Sequence, residues 1–157
     1  MIQHTRWQRL RTQAYLFVVG VKRHMTLGTR VMMIDGERVY LIRHTYLPGW
    51  QFPGGGVEPG ESCEVSAARE VAEESGYRIA GPMQLFGLYH NVHAATNRDH
   101  VALYLCRQFV ESRVFQANLE IAEFGWFAVS DLPDLTTEPT RRRIAEVFQG
   151  APIEARW

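Results

Sequence analysis

The stretch from Trp50 to Tyr77 constrains this chain most: a turn-rich run containing Gly54, Gly55 and Gly56 leads directly into a helical segment, Ser62 to Ser75, with Gly76 placed to stop it. At about 100° per residue, Glu70, Glu73 and Glu74 fall within an arc of about 100°. Ala67, Val71, Ala68, Ala72 and Val65 fill most of the opposite side, so one face is expected to be acidic and the other to pack into a core.

Three carboxylates one helical turn apart repel and disfavour joint ionisation, so the pattern calls for a positive partner. Hard divalent cations bind oxygen ligands, and Mg²⁺ in particular joins one or two carboxylates to substrate phosphate oxygens. The glycines let backbone approach a ligand closely, which makes Gly54, Gly55 and Gly56 candidates for metal or phosphate contact. Arg69 lies beside the acidic arc and is expected to pair with a carboxylate, Glu61 being the candidate, so that a forked hydrogen bond holds the loop against the helix.

These residues match the pattern GX5EX7REUXEEXGU through Gly55, Glu61, Arg69, Glu70, Val71, Glu73, Glu74, Gly76 and Tyr77. On them the chain resembles the Nudix hydrolases. Every fixed residue is present, and the one departure is Tyr77, where the family usually places an aliphatic residue. The Trp-x-Phe-Pro-Gly-Gly lead-in at Trp50 and a late Gly-Trp-Phe before Asp131-Leu132-Pro133 look like family features as well.

The resemblance implies an α+β Nudix fold, a mixed β-sheet sandwiched between α-helices. It implies a pyrophosphohydrolase that uses Mg²⁺, with Mn²⁺ as the alternative, to cut a phosphoanhydride bond in a nucleoside diphosphate derivative or related diphosphate. Glu70, Glu73 and Glu74 would bind the metal with the Gly55 carbonyl, and Glu73 is the chosen base for the attacking water. Because some relatives draw a base or ligand from later strands, Glu120 and Glu123 are secondary candidates. The same fold leaves two alternatives open: a nucleotide-sensing module without catalysis, and a diphosphate isomerase. The substrate branch is not assigned: an NADH-directed array is absent, and position 93 is His where ADP-ribose enzymes carry Pro.

Outside the signature, Arg43 and His44 end a strand just before the glycine loop and are candidates for phosphate contact, with an exposed strand end as the alternative. Of the aromatics, Trp50 is the one placed to stack on substrate. His90, Asn91, His93, Arg98, Asp99 and His100 crowd a polar connection suited to base or sugar recognition. Zinc is disfavoured, since His90 and His93 alternate on a strand and no CxxC or HExxH accompanies them.

The rest of the chain supplies a scaffold. Arg30 to Ile34 and Arg38 to Arg43 flank Asp35-Gly36 and read as a hairpin. Met83 to Val92, His100 to Phe109 and Ile121 to Val129 read as strands, and Pro139 to Gln149 as a helix. No repeat or linker divides residues 1–157, which are expected to form one domain with residues 1–24 as a helical extension. Equal numbers of basic and acidic residues, 17 each, argue against a stable nucleic-acid complex, although residues 1–34 carry six Lys and Arg with no acidic residue. Cys63 and Cys106 lie in no metal-ligand spacing, and the apolar run Ala14 to Val21 is too short to span a bilayer. A cytoplasmic enzyme with a small-molecule substrate and no membrane partner is expected, with a homodimer as one option for its assembly.

Overall fold

The computed structural model describes residues 15, 18–20, 24–92 and 97–157. Tyr15 and residues 18–20 are helical, and the remainder of the helix expected over residues 1–24 lies outside the described residues, as does His93. Strands β1 (Thr26–Asp35) and β2 (Arg38–His44) form the expected hairpin, pairing antiparallel at Ile34↔Val39 and Asp35↔Arg38. A short β3 (Trp50–Gln51) precedes the glycine loop, and helix α1 (Cys63–Ser75) follows it. Then come β4 (Tyr77–Ile79), β5 (Gln84–Asn91), β6 (Asp99–Cys106), β7 (Phe109–Glu111), β8 (Ile121–Ala128) and helix α2 (Glu138–Phe148).

The main sheet runs β3-β2-β1-β6-β5, with β8 also paired to β2. It is mixed: β1 runs parallel to β6 from Thr26↔Asp99 to Met33↔Cys106, while β5–β6, β2–β3 and β2–β8 are antiparallel. β4 and β7 make a separate antiparallel pair. The run from His100 to Phe109, expected as one strand, thus divides into β6 and β7. Most of it, to Cys106, belongs to the main sheet, and only Phe109 at its end enters the separate pair, a break that periodicity does not reveal.

Side chains alternate between the faces of β1, β2 and β6, as extended backbone requires. Val31, Met33, Tyr40, Ile42, Ala102, Tyr104 and Cys106 pack beneath α1 against Ala67 and Val71. Met32, Ile34, Val39, Leu41, Leu103 and Leu105 face the other way, against Ile144 of α2. Apolar residues therefore run almost continuously along these strands, because both faces of the sheet are covered. This is the expected α/β/α sandwich. No described helix is long and apolar enough to cross a membrane.

Helix α1 begins at Ser62, whose hydroxyl accepts from the Val65 amide, and ends at Gly76 with φ 74°. Its burial differs from the sequence expectation at two positions. Val65 is 57% exposed, while Glu74 is 4% exposed. Glu74 lies seven residues after Ala67, only about 20° away around the helix, so it continues the Ala67–Val71 stripe that meets the sheet.

At the other face, α2 carries Arg143, fully buried, in an ion pair of 2.7 Å with buried Glu146. The guanidinium sits 4.1 Å from the centre of the Tyr89 ring, and Tyr89 donates its hydroxyl to Glu146 at 3.0 Å. Replacing one member of such a pair leaves the other charge buried alone. Arg143→Leu is expected to destabilise the protein by about 3–5 kcal/mol, read as a lower denaturant midpoint at unchanged slope.

Candidate active site

The loop after β3 is held through both backbone polar groups of one residue, Gly54. The Gly54 amide donates to Glu74 Oε2 at 2.7 Å, and the Gly54 carbonyl accepts from Arg30 of β1. Gly54 has φ 146°, and a side chain there would run into the Thr29 carbonyl of β1. Glycine is thus required by conformation and by packing. The Gly55 carbonyl accepts from the Thr29 amide at 2.8 Å, and that of Gly56 accepts from Ser66 at 3.1 Å.

Glu74 is also joined to β2. Its Oε1 lies 2.8 Å from His44 Nε2, and Gln51 Nε2 lies 3.2 Å from His44 Nδ1. A Gln amide nitrogen only donates, so His44 Nδ1 accepts, leaving Nε2 to carry the proton toward the Glu74 carboxylate. The chain Gln51 to His44 to Glu74 to the Gly54 amide fixes the carboxylate plane. His44, placed by sequence reasoning among phosphate contacts, is 3% exposed and serves this internal bond instead.

Arg69 organises the opposite side of the acidic cluster. Its Nε and Nη2 make the expected fork to Glu61 at 2.9 and 3.0 Å. Nη1 reaches Glu70 at 2.7 Å and Glu73 at 3.2 Å, and Nη2 reaches the Gly56 carbonyl at 3.2 Å. The hydrogen bond from Arg69 holds the Glu61 carboxyl below its ordinary pKa. Burial pushes Glu70 up instead, and the charges of Glu74 and Glu73 add to that while Arg69 opposes it.

The three signature glutamates therefore occupy three environments around one loop. Glu74 is buried, the Glu70 side chain is 13% exposed against Gly55, and that of Glu73 is 60% exposed. A Cβ added at Gly55 would lie 2.5 Å from Glu70 Oε1, so the loop backbone and this carboxylate meet only because the residue is glycine. Carboxylate oxygens on the helix and carbonyl oxygens on the adjoining loop are hard donors of the kind that divalent cations such as Mg²⁺ take. Among the described residues, His44, Glu74 and Glu120 each bring one ligand-type atom within 4.8 Å of the others. Glu120 precedes β8, and Tyr46 donates to it at 3.2 Å.

Other sequence candidates lie outside this cluster. Arg43 donates to Glu123 at 2.7 Å across β2–β8, an exposed pair that occupies both residues. Trp50 packs edge-on against Phe127, with ring centres 4.8 Å apart. A cavity of about 550 Å³ opens beside Gly55 and Gly56, and its walls include Arg30, Gln51, Asn91, Asp99 and Trp157 but neither Arg43 nor Trp50. Arg30 and Trp157 were not singled out in the sequence. Arg30 carries no motif, and Trp157 stands far along the chain from every signature residue.

The hydrogen bond from His44 to a buried carboxylate is expected to contribute about 2 kcal/mol. His44→Ala should lower stability by about that amount in chemical denaturation, whereas His44→Gln, whose amide can still donate, should recover part of it.

Residues 24–148 match the family model described as the NUDIX domain. An RNA pyrophosphohydrolase of Caulobacter vibrioides is 58% identical over 147 residues, covering 79% of this chain and 84% of that protein. A putative 8-oxo-dGTP diphosphatase of Bacillus subtilis is 28% identical over 127 residues, covering 80% and 82%. The crystal structure of a MutT NUDIX hydrolase from Burkholderia pseudomallei superposes with a TM-score of 0.69 at 29% identity, covering 78% of this chain and 97% of that one. With its glycine loop, acidic helix and mixed sheet in the same order, the chain belongs to the Nudix family, as a pyrophosphohydrolase acting on diphosphate compounds.

Proposed function

We propose that this protein hydrolyses a phosphoanhydride bond in a nucleoside diphosphate derivative, with Mg²⁺, or Mn²⁺ in its place, held by Glu70, Glu73, Glu74 and the Gly55 carbonyl. The observation that carries this reading is the junction of the acidic helix with the glycine loop: Glu74 accepts from the Gly54 amide at 2.7 Å, and the Glu70 carboxylate fills the space that a side chain at Gly55 would take. When bound, the cation neutralises phosphate charge and acidifies a coordinated water.

The remaining work falls to the chain. Glu73 is the base: one oxygen contacts Arg69, and the exposed side chain leaves the other open to accept a proton from water. The water oxygen forms a bond to phosphorus as the anhydride P–O bond breaks, and the departing phosphate or nucleotide leaves in line. Arg69 is a positioning residue, fixing Glu70 and Glu73 relative to Glu61 and the loop. Gly54 and Gly56 shape the floor on which phosphates rest, Gly56 lining the cavity itself. Arg43 and Trp50 contact substrate only if it extends past the cavity walls. Cys63 and Cys106, both free, support a cytoplasmic setting.

Two observations favour second readings of particular parts. The convergence of Glu120 on Glu74 supports Glu120 as an additional ligand or as the base, and Glu123, engaged by Arg43, has the weaker claim. The 58% identical RNA pyrophosphohydrolase supports an RNA that carries a phosphoanhydride as substrate, against the expectation of small molecules alone.

Product release from nucleoside diphosphate derivatives, nucleoside triphosphates and a 5′-triphosphorylated RNA, with phosphate, diphosphate and nucleotide distinguished, tests both substrate readings. Glu73→Gln should lower kcat about a hundredfold or more; equal turnover by both proteins removes Glu73 from the mechanism, and a larger loss in Glu120→Gln transfers the role. Millimolar Mg²⁺ should raise the melting temperature of the wild type. Gly55→Ala, which drives a methyl group into the Glu70 carboxylate, should cut kcat about a hundredfold while the melting temperature without metal changes little.

A further inference from the structure

The cavity beside the glycine loop has one wall that the signature does not supply. Residues 153–157 run alongside β5: the His90 amide donates to the Ala155 carbonyl and the Trp157 amide to the His90 carbonyl, both at 2.9 Å. Helix α2 clasps this segment from below. Arg143 donates to the Arg156 carbonyl at 3.0 Å, Arg142 to the Trp157 carbonyl at 2.9 Å, and the Glu154 amide to Glu146 at 3.0 Å. The Trp157 ring rests edge-on against Tyr89, with centres 5.5 Å apart, and the Arg143 guanidinium lies 5.8 Å from it. A half-buried indole is thereby held in a set orientation while still lining the cavity that begins at Gly55 and Gly56.

The other walls narrow the ligand. Among the described wall residues, the charged side chains are Arg30 and Asp99. Asp99 already accepts from Thr26 at 2.8 Å and Asn91 at 2.9 Å. A neutral, flat group with hydrogen-bonding edges suits an indole face bordered by Gln51, Asn91 and Thr137.

We propose that Trp157 is a specificity-determining residue, its indole forming the face on which the substrate's nucleobase stacks while the diphosphate lies at the glycine loop. This rests on the nucleotide reading of the site, and it replaces Trp50, the stacking candidate suggested by sequence. Arg142, Arg143 and Glu146 act through Trp157 as positioning residues.

Calorimetric binding of a nucleoside 5′-diphosphate and of inorganic diphosphate, each with Mg²⁺, separates the base from the phosphates. Stacking on one aromatic ring corresponds to roughly a tenfold affinity difference or more. Trp157→Ala should weaken nucleoside diphosphate binding about tenfold and inorganic diphosphate far less, with KM for a nucleotide substrate rising much more than kcat falls. Trp157→Phe, which keeps a stacking ring and most of the packing, should lose less. Equal weakening of both ligands, or undiminished nucleotide binding in Trp157→Ala, overturns the proposal. Turnover of nucleotides that ignores Trp157 defeats this inference alone, Trp157-dependent binding without turnover defeats the hydrolase reading alone, and a wild type that binds neither ligand defeats both.

Discussion

The buried carboxylate of Glu74 is the point on which the geometry of the site depends. A carboxylate removed from water is costly unless its oxygens are hydrogen-bonded. Glu74 meets that demand by drawing in the Gly54 amide on one oxygen and His44 on the other. Those two bonds tie helix α1 to the glycine loop and to β2, and Arg30 of β1 secures the carbonyl of the same residue, Gly54. Four separate parts of the chain are thereby registered around a single side chain. The desolvation that makes Glu74 expensive is also what makes its partners obligatory.

Around that anchor, three glutamates of one helix are set apart by depth. Glu74 is buried with one protein hydrogen bond on each oxygen, Glu70 is mostly buried against Gly55, and Glu73 reaches solvent. Arg69 bridges the outer two and the Glu61 side of the loop, so one guanidinium offsets repulsion that the cluster would otherwise suffer without a cation. A fourth carboxylate, Glu120, approaches from the strand layer beyond β2. Groups at different depths can divide the tasks of holding a cation and exchanging protons with water, which a uniformly exposed acidic face would not do.

Helix α2 matters to the site by a longer route. Its buried Arg143–Glu146 pair anchors Tyr89 of the sheet and the chain segment beside β5, and that segment carries Trp157 to the cavity. The catalytic loop and the aromatic wall thus come from opposite layers of the sandwich. Sequence reasoning favoured Trp50 for stacking because it neighbours the loop, but its ring packs edge-on with Phe127 at the margin of the core and does not line the cavity. The tryptophan that lines the cavity is Trp157, which the sheet order β1-β6-β5 brings there from about a hundred positions beyond the glycine loop.

Local patterns alone determined the hairpin at Asp35-Gly36, the span and stop of α1, the positions of β5, β8 and α2, and the fork between Arg69 and Glu61, because each depends on residues within a few turns of chain. The signature determined the family. Tertiary structure decided the depth of each glutamate, the conversion of His44 from a phosphate candidate to an internal partner, the pairing of Arg43 with Glu123, and the identity of the cavity walls. A periodic pattern states which residues share a side of a helix. Whether that side meets water, a sheet or another carboxylate is set by what packs against it, and that comes from distant parts of the chain brought together by burial of both sheet faces.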